Sequence, residues 1–239
     1  MSRELLTAWD TQQEAYIAHR EQRFTVMLEV LRLHLGEEFT VLDLACGPGA
    51  ISDRVLRAFP KARVIAVDYD PILLHVARGA LGDRATVVDA DLLGTGWETP
   101  VDAVLSSTAL HWLSPGQLLD VYTRVAGMLA PGGLLLNGDH LRWGPESPTM
   151  RDLADRHDAL TQREAFAAGA LGYDDWYTEA RRDPAIDALA AERERRFANR
   201  PPQPLSSLEF HLAALRTAGF AETGTIWQYL DDYVVYARR

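Results

Sequence analysis

Apolar positions along the chain alternate between two periods. "VLDLAC", from Val41 to Cys46, reads as a buried strand, and Gly47-Pro48-Gly49 stops it abruptly. Ile51, Val55, Leu56 and Phe59 then recur at helical spacing, so the glycines sit between a strand and a helix. The same change of period follows down the chain. Strand-like "RVIAVDYD", "ATVVDADL", "VDAVLSST" and "LLLNGDH" are separated by a helix opening at Pro71, by loops, and by the amphipathic helix "GQLLDVYTRVAGML". Alternating elements with short links predict an α/β chain whose parallel strands are joined by right-handed crossovers.

The two ends and one internal stretch differ. Residues Glu14 to Leu35 predict one helix that Gly36 terminates. After His140 the alternation stops, and residues 141–205, rich in charge and alanine, read as a helical insertion with pieces around Met150–Phe166 and Ala185–Phe197. Order returns with the helix "SSLEFHLAALRTAGF" and with "TGTIWQYL" and "DDYVVYARR", two strands placed to pair as an antiparallel hairpin.

Length and charge bound this picture. At 239 residues the chain fits one domain, 1–239, and its 47% hydrophobic residues supply a full core. With 34 acidic and 24 basic residues the net charge is -10, which disfavours nucleic acid as a partner. Cys46 is the single cysteine, so no intramolecular disulfide or cysteine metal cluster can form, and no metal site is expected. No run approaches the roughly 18 apolar residues of a membrane span, and the N-terminus lacks a signal-peptide pattern, so a soluble cytoplasmic protein without a membrane partner is expected. No feature of the sequence specifies an oligomeric state.

Two nucleotide patterns compete for "DLACGPGAIS". A dinucleotide fingerprint requires a third glycine, and Ser52 occupies that place, which weighs against an NAD-binding oxidoreductase. An acid in the strand followed by a small residue and G-x-G instead resembles the first motif of class I S-adenosylmethionine-dependent methyltransferases, with Ala45 where that family usually has glycine. Alanine is tolerable there if the backbone does not need a positive φ. "VIAVDYDP", "VVDADLL", "VDAVLSSTALHWL" and "MLAPGGLLL" follow in the order of that family's later motifs.

The resemblance implies a Rossmann-like, mostly parallel seven-stranded sheet with an antiparallel last strand and helices on both faces. It implies S-adenosylmethionine as cofactor. Gly47 and Gly49, with Ala45 and Cys46 between strand and helix, would let the backbone approach the methionine part, while Asp43 orders the loop near its ammonium. Asp68, with Tyr69 beside it, would hold the ribose hydroxyls, leaving Asp70 to cap the next helix; Asp91 and the Leu92 amide would hold the adenine, with Asp89 a solvated loop acid. Ser106 and Ser107 would lie beside the methionine part. Residues 1–35 would form a helical lid presenting Tyr16 and Arg20 or Arg23, and 141–205 a substrate cap.

Candidates for chemistry follow the fourth and fifth strands. His140 is the first choice for a general base and His111 the second. "HW" at 111–112 resembles the "QW" of small-molecule methyltransferases of the trans-aconitate type, with histidine replacing glutamine. Trp112 and, from the insertion, Trp176 with Tyr173 and Tyr177 are candidate substrate walls, whereas "ERERRFANR" has the mixed charge of a solvated face, with carboxylate binding as the alternative. The expected activity is methyl transfer to a small molecule, with oxygen favoured over nitrogen or carbon. A noncatalytic S-adenosylmethionine-binding protein is the alternative from another class.

Overall fold

Strand side chains of the central sheet are withdrawn from solvent on both faces: Val41, Leu42, Leu44, Val104 and Leu105 are fully buried. The computed structural model describes residues 1–204 and 206–239. Leu205, the expected end of the insertion, lies outside the described residues. Strands β1 (Thr40–Leu44), β2 (Arg63–Asp68), β3 (Ala85–Asp89), β4 (Val101–Ser107), β5 (Leu129–His140), β6 (Glu222–Tyr229) and β7 (Asp232–Arg238) form one sheet in the order β3-β2-β1-β4-β5-β7-β6. The first five pair in parallel, and β7 runs antiparallel to both β5 and β6. The seven-stranded sheet expected from the sequence is therefore present.

Helices cover both faces because the crossovers from β1 to β2, β2 to β3 and β4 to β5 each carry one, while a loop joins β3 to β4. Helix α1 (Ser2–Tyr16), α2 (Arg20–Leu35), α3 (Ala50–Ala58) and α4 (Pro71–Leu81) precede α5 (Pro115–Met128) in the chain. On one side Phe24, Met27 and Leu31 of α2 pack with Ile51 and Val55 of α3 against Val41, Ala103 and Leu105. On the other, Leu118, Val121 and Val125 of α5 pack against Leu42, Val104 and Leu135. Local chemistry starts these helices where the alternation predicts. Asp70 accepts hydrogen bonds from the Ile72 and Leu73 amides ahead of Pro71. Ser114 and Gln117 close a reciprocal capping box on α5.

The N-terminal helix differs from expectation. The chain folds as two helices, not one from Glu14, because His19 adopts a left-handed backbone with φ 58° and breaks the turn between Tyr16 and Arg20. Helix α1 lies against α4 and the insertion through Leu5, Leu6 and Trp9. The insertion holds α6 (Pro148–Ala167), α7 (Tyr173–Ala180), α8 (Pro184–Asp187) and α9 (Ala190–Phe197), and α10 (Leu208–Thr217) then leads to the closing hairpin. No helix among the described residues is long and apolar enough to cross a membrane.

Candidate active site

At the C-terminal ends of β1 and β4 the connections leave in opposite directions, the crevice where such sheets take ligands. A cavity of about 750 Å³ opens there. Both strands enter it through a non-glycine residue in the left-handed region, Ala45 with φ 59° and Thr108 with φ 56°. Contrary to the sequence expectation, position 45 does need a positive φ, and its alanine is strained. A left-handed L-residue costs about 1–2 kcal/mol, of which glycine's greater unfolded-state freedom would offset about 0.4–1 kcal/mol. Ala45→Gly is therefore expected to raise the melting temperature by a few degrees, on the scale of roughly 2–4 °C per kcal/mol for this size. A lower midpoint in differential scanning calorimetry would show that the Ala45 methyl contributes more packing than its backbone loses.

Of the residues expected at the cofactor, Tyr16, Asp43, Ala45, Cys46, Gly47 and Asp68 line the cavity. So do Tyr69, Asp91, Leu92 and Ser107. Gly47 has φ 57°, and a Cβ there would approach only Trp9, at 3.9 Å. Asp68 ties the loop to β2, accepting the Gly47 amide at 2.8 Å through Oδ2 and the Tyr69 and Asp70 amides at 2.7 and 2.8 Å through Oδ1. Burial raises its carboxyl pKa, with these three amides opposing. Asp43 accepts both the amide and the hydroxyl of Ser52 through Oδ2, but its buried Oδ1 has no partner among the described residues. Burial outweighs the Ser52 hydrogen bonds and lifts this carboxyl to about 7. Burial also drives the Cys46 thiol well above its ordinary range, the state of a packed residue and not of a nucleophile.

Four expectations need correcting. Gly49 does not line the cavity; it starts α3 with φ 92°, and a Cβ there would meet Leu81 at 2.9 Å, so it serves the packing of α3 on α4. Arg23 is withdrawn beneath the cavity, where it is fully buried and ion-paired with Asp232; Arg20, one helical turn earlier, reaches the wall. Ser106 points into the sheet and donates to the Leu44 carbonyl, because alternate strand residues face opposite ways. Asp89 is exposed as expected of a solvated acid, but it ends β3 and does not lie in a loop, and Arg196 pairs with both its oxygens, at 2.6 and 3.0 Å.

On the acceptor side the two histidines differ sharply. His111 Nδ1 lies 2.6 Å from Oδ1 of Asp139, whose other oxygen accepts the His111 amide at 3.1 Å. Burial would raise Asp139, yet the charge and hydrogen bond of His111 hold it at about 2. His140 also lines the cavity, but its Nδ1, 2.7 Å from Asp232, lacks hydrogen-bond alignment, and that carboxylate is taken by Arg23. Burial, with Arg23 and Arg142 nearby, depresses the His140 imidazole to about 3. At pH 7 it is neutral and weakly basic, so the order of the two candidates reverses.

Trp112 faces the cavity, whereas Trp176 does not. Trp176 is fully buried edge-on to Trp9, 4.9 Å between ring centroids, and donates to the Leu5 carbonyl; of the three expected wall aromatics Tyr173, Trp176 and Tyr177, Tyr173 alone lines the cavity. Trp9 and Thr108 line the cavity without having been singled out in the sequence; Arg193 and Arg200 of "ERERRFANR", the run with carboxylate binding as the alternative to a solvated face, line it too. Leu5, Leu6 and Trp9 at one helical face carried a readable signal; Thr108 carried none.

The Methyltransferase domain family profile matches residues 41–133, which hold the glycine loop and the strands around it. The chain is 30% identical over 181 residues to the trans-aconitate 2-methyltransferase of Methylobacterium nodulans, covering 72% of this chain and 68% of that protein. It is 32% identical over 131 residues to the enzyme of the same name from Azoarcus sp., covering 54% of this chain and 50% of the other. The chain thus spans about half to two thirds of the length of these relatives. Human N-acetylserotonin methyltransferase in complex with S-adenosylmethionine shares the fold at a TM-score of 0.62 and 14% identity, over 100% of this chain and 56% of that one. Sequence and fold agree with the crevice in assigning the chain to the class I S-adenosylmethionine-dependent methyltransferase family.

Proposed function

We propose that the protein transfers a methyl group from S-adenosylmethionine to a hydroxyl oxygen of a small molecule, with His111 receiving the proton. The His111–Asp139 pair carries this reading. Buried Asp139 fixes Nδ1 of the ring as its hydrogen-bonding end, which leaves Nε2 for the cavity. A hydroxyl must lose its proton as the new bond forms, and an oriented imidazole supplies that function. When bound, S-adenosylmethionine supplies an electrophilic methyl group on a positively charged sulfur. Asp68 and Tyr69 would hold its ribose, Asp91 and Leu92 its adenine, and Gly47 with Asp43 its methionine end. Leu73, Leu92, Leu113 and Phe197 give the cavity apolar walls, which would limit water at the reacting centre once cofactor and acceptor fill it.

The unpartnered Oδ1 of Asp43 supports the cofactor assignment, because a buried carboxyl lifted to about 7 suits a cationic ligand. The free protein takes up a proton at Asp43 below about pH 7, whereas the carboxylate that meets a cation must be unprotonated. Cofactor affinity is therefore expected to fall as pH drops below about 7, approaching tenfold per unit, and to level off above it. Calorimetric titrations from pH 6 to 8 check this against Asp43→Asn; equal slopes in the two proteins would remove Asp43 from the site.

Transfer to a carboxylate is the alternative favoured by the names of the relatives, since a carboxylate needs no base. Release of S-adenosylhomocysteine in the presence of hydroxylated and carboxylated small molecules, with mass spectrometry separating ether from ester products, decides between them. Cofactor binding with no release from any acceptor would leave a noncatalytic binding protein.

A further inference from the structure

Four arginines line the cavity wall, and three of them are neutralised. Arg20 pairs with Asp10, Arg142 with Asp158 and Asp231, and Arg193 with Asp70. Arg200 alone among them has no carboxylate partner among the described residues; its guanidinium lies over the Trp112 ring, 3.4 Å from the centroid, and 5.4 Å from the Phe197 ring. A guanidinium stacked on an indole is held flat, with its N–H edges free for bidentate contact with a planar anion. The side chain stays exposed to solvent, and its partial burial against these rings lowers its pKa. A guanidinium fixed on the cavity wall without a counter-ion is a site that an anion completes.

The location specifies which molecule brings that anion. Trp112 directly follows the proposed base, and the His111 and Trp112 ring centroids are 5.5 Å apart. The cation therefore stands one indole away from the imidazole, on the side of the cavity where Trp112 and His111 follow β4, and Leu113, Phe197 and Tyr173 line the same cavity. We propose that the acceptor is a compact hydroxy acid with an apolar body, anchored by its carboxylate on Arg200 while its hydroxyl meets His111. The carboxylate is the handle and is not methylated. This deepens the hydroxyl-transfer reading and rests on it. The methyl–sulfur bond breaks, the methyl–oxygen bond forms, and the hydroxyl proton goes to His111 Nε2, giving an ether and S-adenosylhomocysteine.

The test uses 4-hydroxybenzoate, its methyl ester and benzoate with the full chain. In the wild type, 4-hydroxybenzoate should be favoured over the ester in kcat/KM by about tenfold or more, chiefly through KM, and the product should be the aryl ether. Arg200→Gln should collapse that preference, Arg200→Lys should restore it only in part, and benzoate should compete with the acid in the wild type but not in Arg200→Gln. Equal use of acid and ester by the wild type would overturn the anion site while leaving hydroxyl transfer standing. An ester product from either acid would overturn both. Binding of 4-hydroxybenzoate and benzoate that needs Arg200, without turnover, would sustain the anion site and remove the hydroxyl reading. A loss of S-adenosylmethionine affinity in Arg200→Gln as large as the loss of acid preference would assign the cation to the cofactor's own carboxylate and overturn the proposal.

Discussion

Asp68→Ala is expected to weaken S-adenosylmethionine binding by about 10²-fold, the result of removing a charged hydrogen-bond acceptor worth about 1.5–3 kcal/mol together with the anchor of the glycine loop. The side chain does two things at once. Its position on the cavity at the end of β2 suits the ribose hydroxyls, and its oxygens already accept the amides of Gly47, Tyr69 and Asp70. Alanine leaves those three amides without their acceptor, so the melting temperature should fall as well. Loss of loop order and loss of the ligand contact can be separated with Asp68→Asn. Its amide keeps the volume and one acceptor oxygen but turns an NH₂ toward an amide donor. Calorimetry on both variants, with circular dichroism to verify folding, checks the expectation. An unchanged dissociation constant in a folded Asp68→Ala protein would move the ribose contact to another residue.

Much of this half of the site is legible in the sequence because its chemistry is local. A strand that stops at two glycines, an acid at the end of the next strand and a capped helix after it follow one another between Val41 and Leu81, and the period changes mark each boundary. Gly49 shows the limit of that legibility. It belongs to the same motif as Gly47, yet what a side chain there would meet is Leu81 on α4, a neighbour more than 30 residues away in sequence. The break at His19 is hidden for a different reason: neither glycine nor proline marks it, and a histidine takes the left-handed turn. Trp176 and Arg200 show how the insertion escapes periodicity altogether. Aromatic and basic residues there look interchangeable along the chain, and only packing against α1 or against Trp112 separates a core tryptophan from a cavity arginine.

The acceptor side illustrates why register matters more than proximity in sequence. Ser107 of β4 lies opposite Gly138 of β5, so the residues that follow each strand meet at the cavity. Within β5 the side chains of Asp139 and His140 leave on opposite faces. Asp139 turns to His111, 28 residues earlier, and His140 turns toward Arg23 and Asp232. A sequence that places "GDH" at a strand end contains both outcomes, and only the sheet selects between them.

His111→Ala is expected to lower the methyl-transfer rate by about 10² to 10⁴ at pH 7, the usual contribution of an oriented general base. Affinity for S-adenosylmethionine should change little, because the lost group faces the acceptor; the effect should therefore appear in kcat with a nearly constant cofactor dissociation constant. Partial recovery at higher pH, where more of the acceptor is already ionised, would accompany it. Asp139→Asn tests the positioning partner. Without the carboxylate the tautomer of the ring is no longer held, so the rate should fall while cofactor affinity stays nearly constant. His140→Ala provides the contrast: an imidazole held at about 3 is a poor proton acceptor at neutral pH, and its removal should change the rate by only a few fold. If His140→Ala loses the rate and His111→Ala does not, the base belongs to β5 and the ring next to Asp139 is structural. If neither variant slows transfer, the site works by alignment and exclusion of water alone, and an acceptor that is already ionised, a carboxylate, takes the place of the hydroxyl.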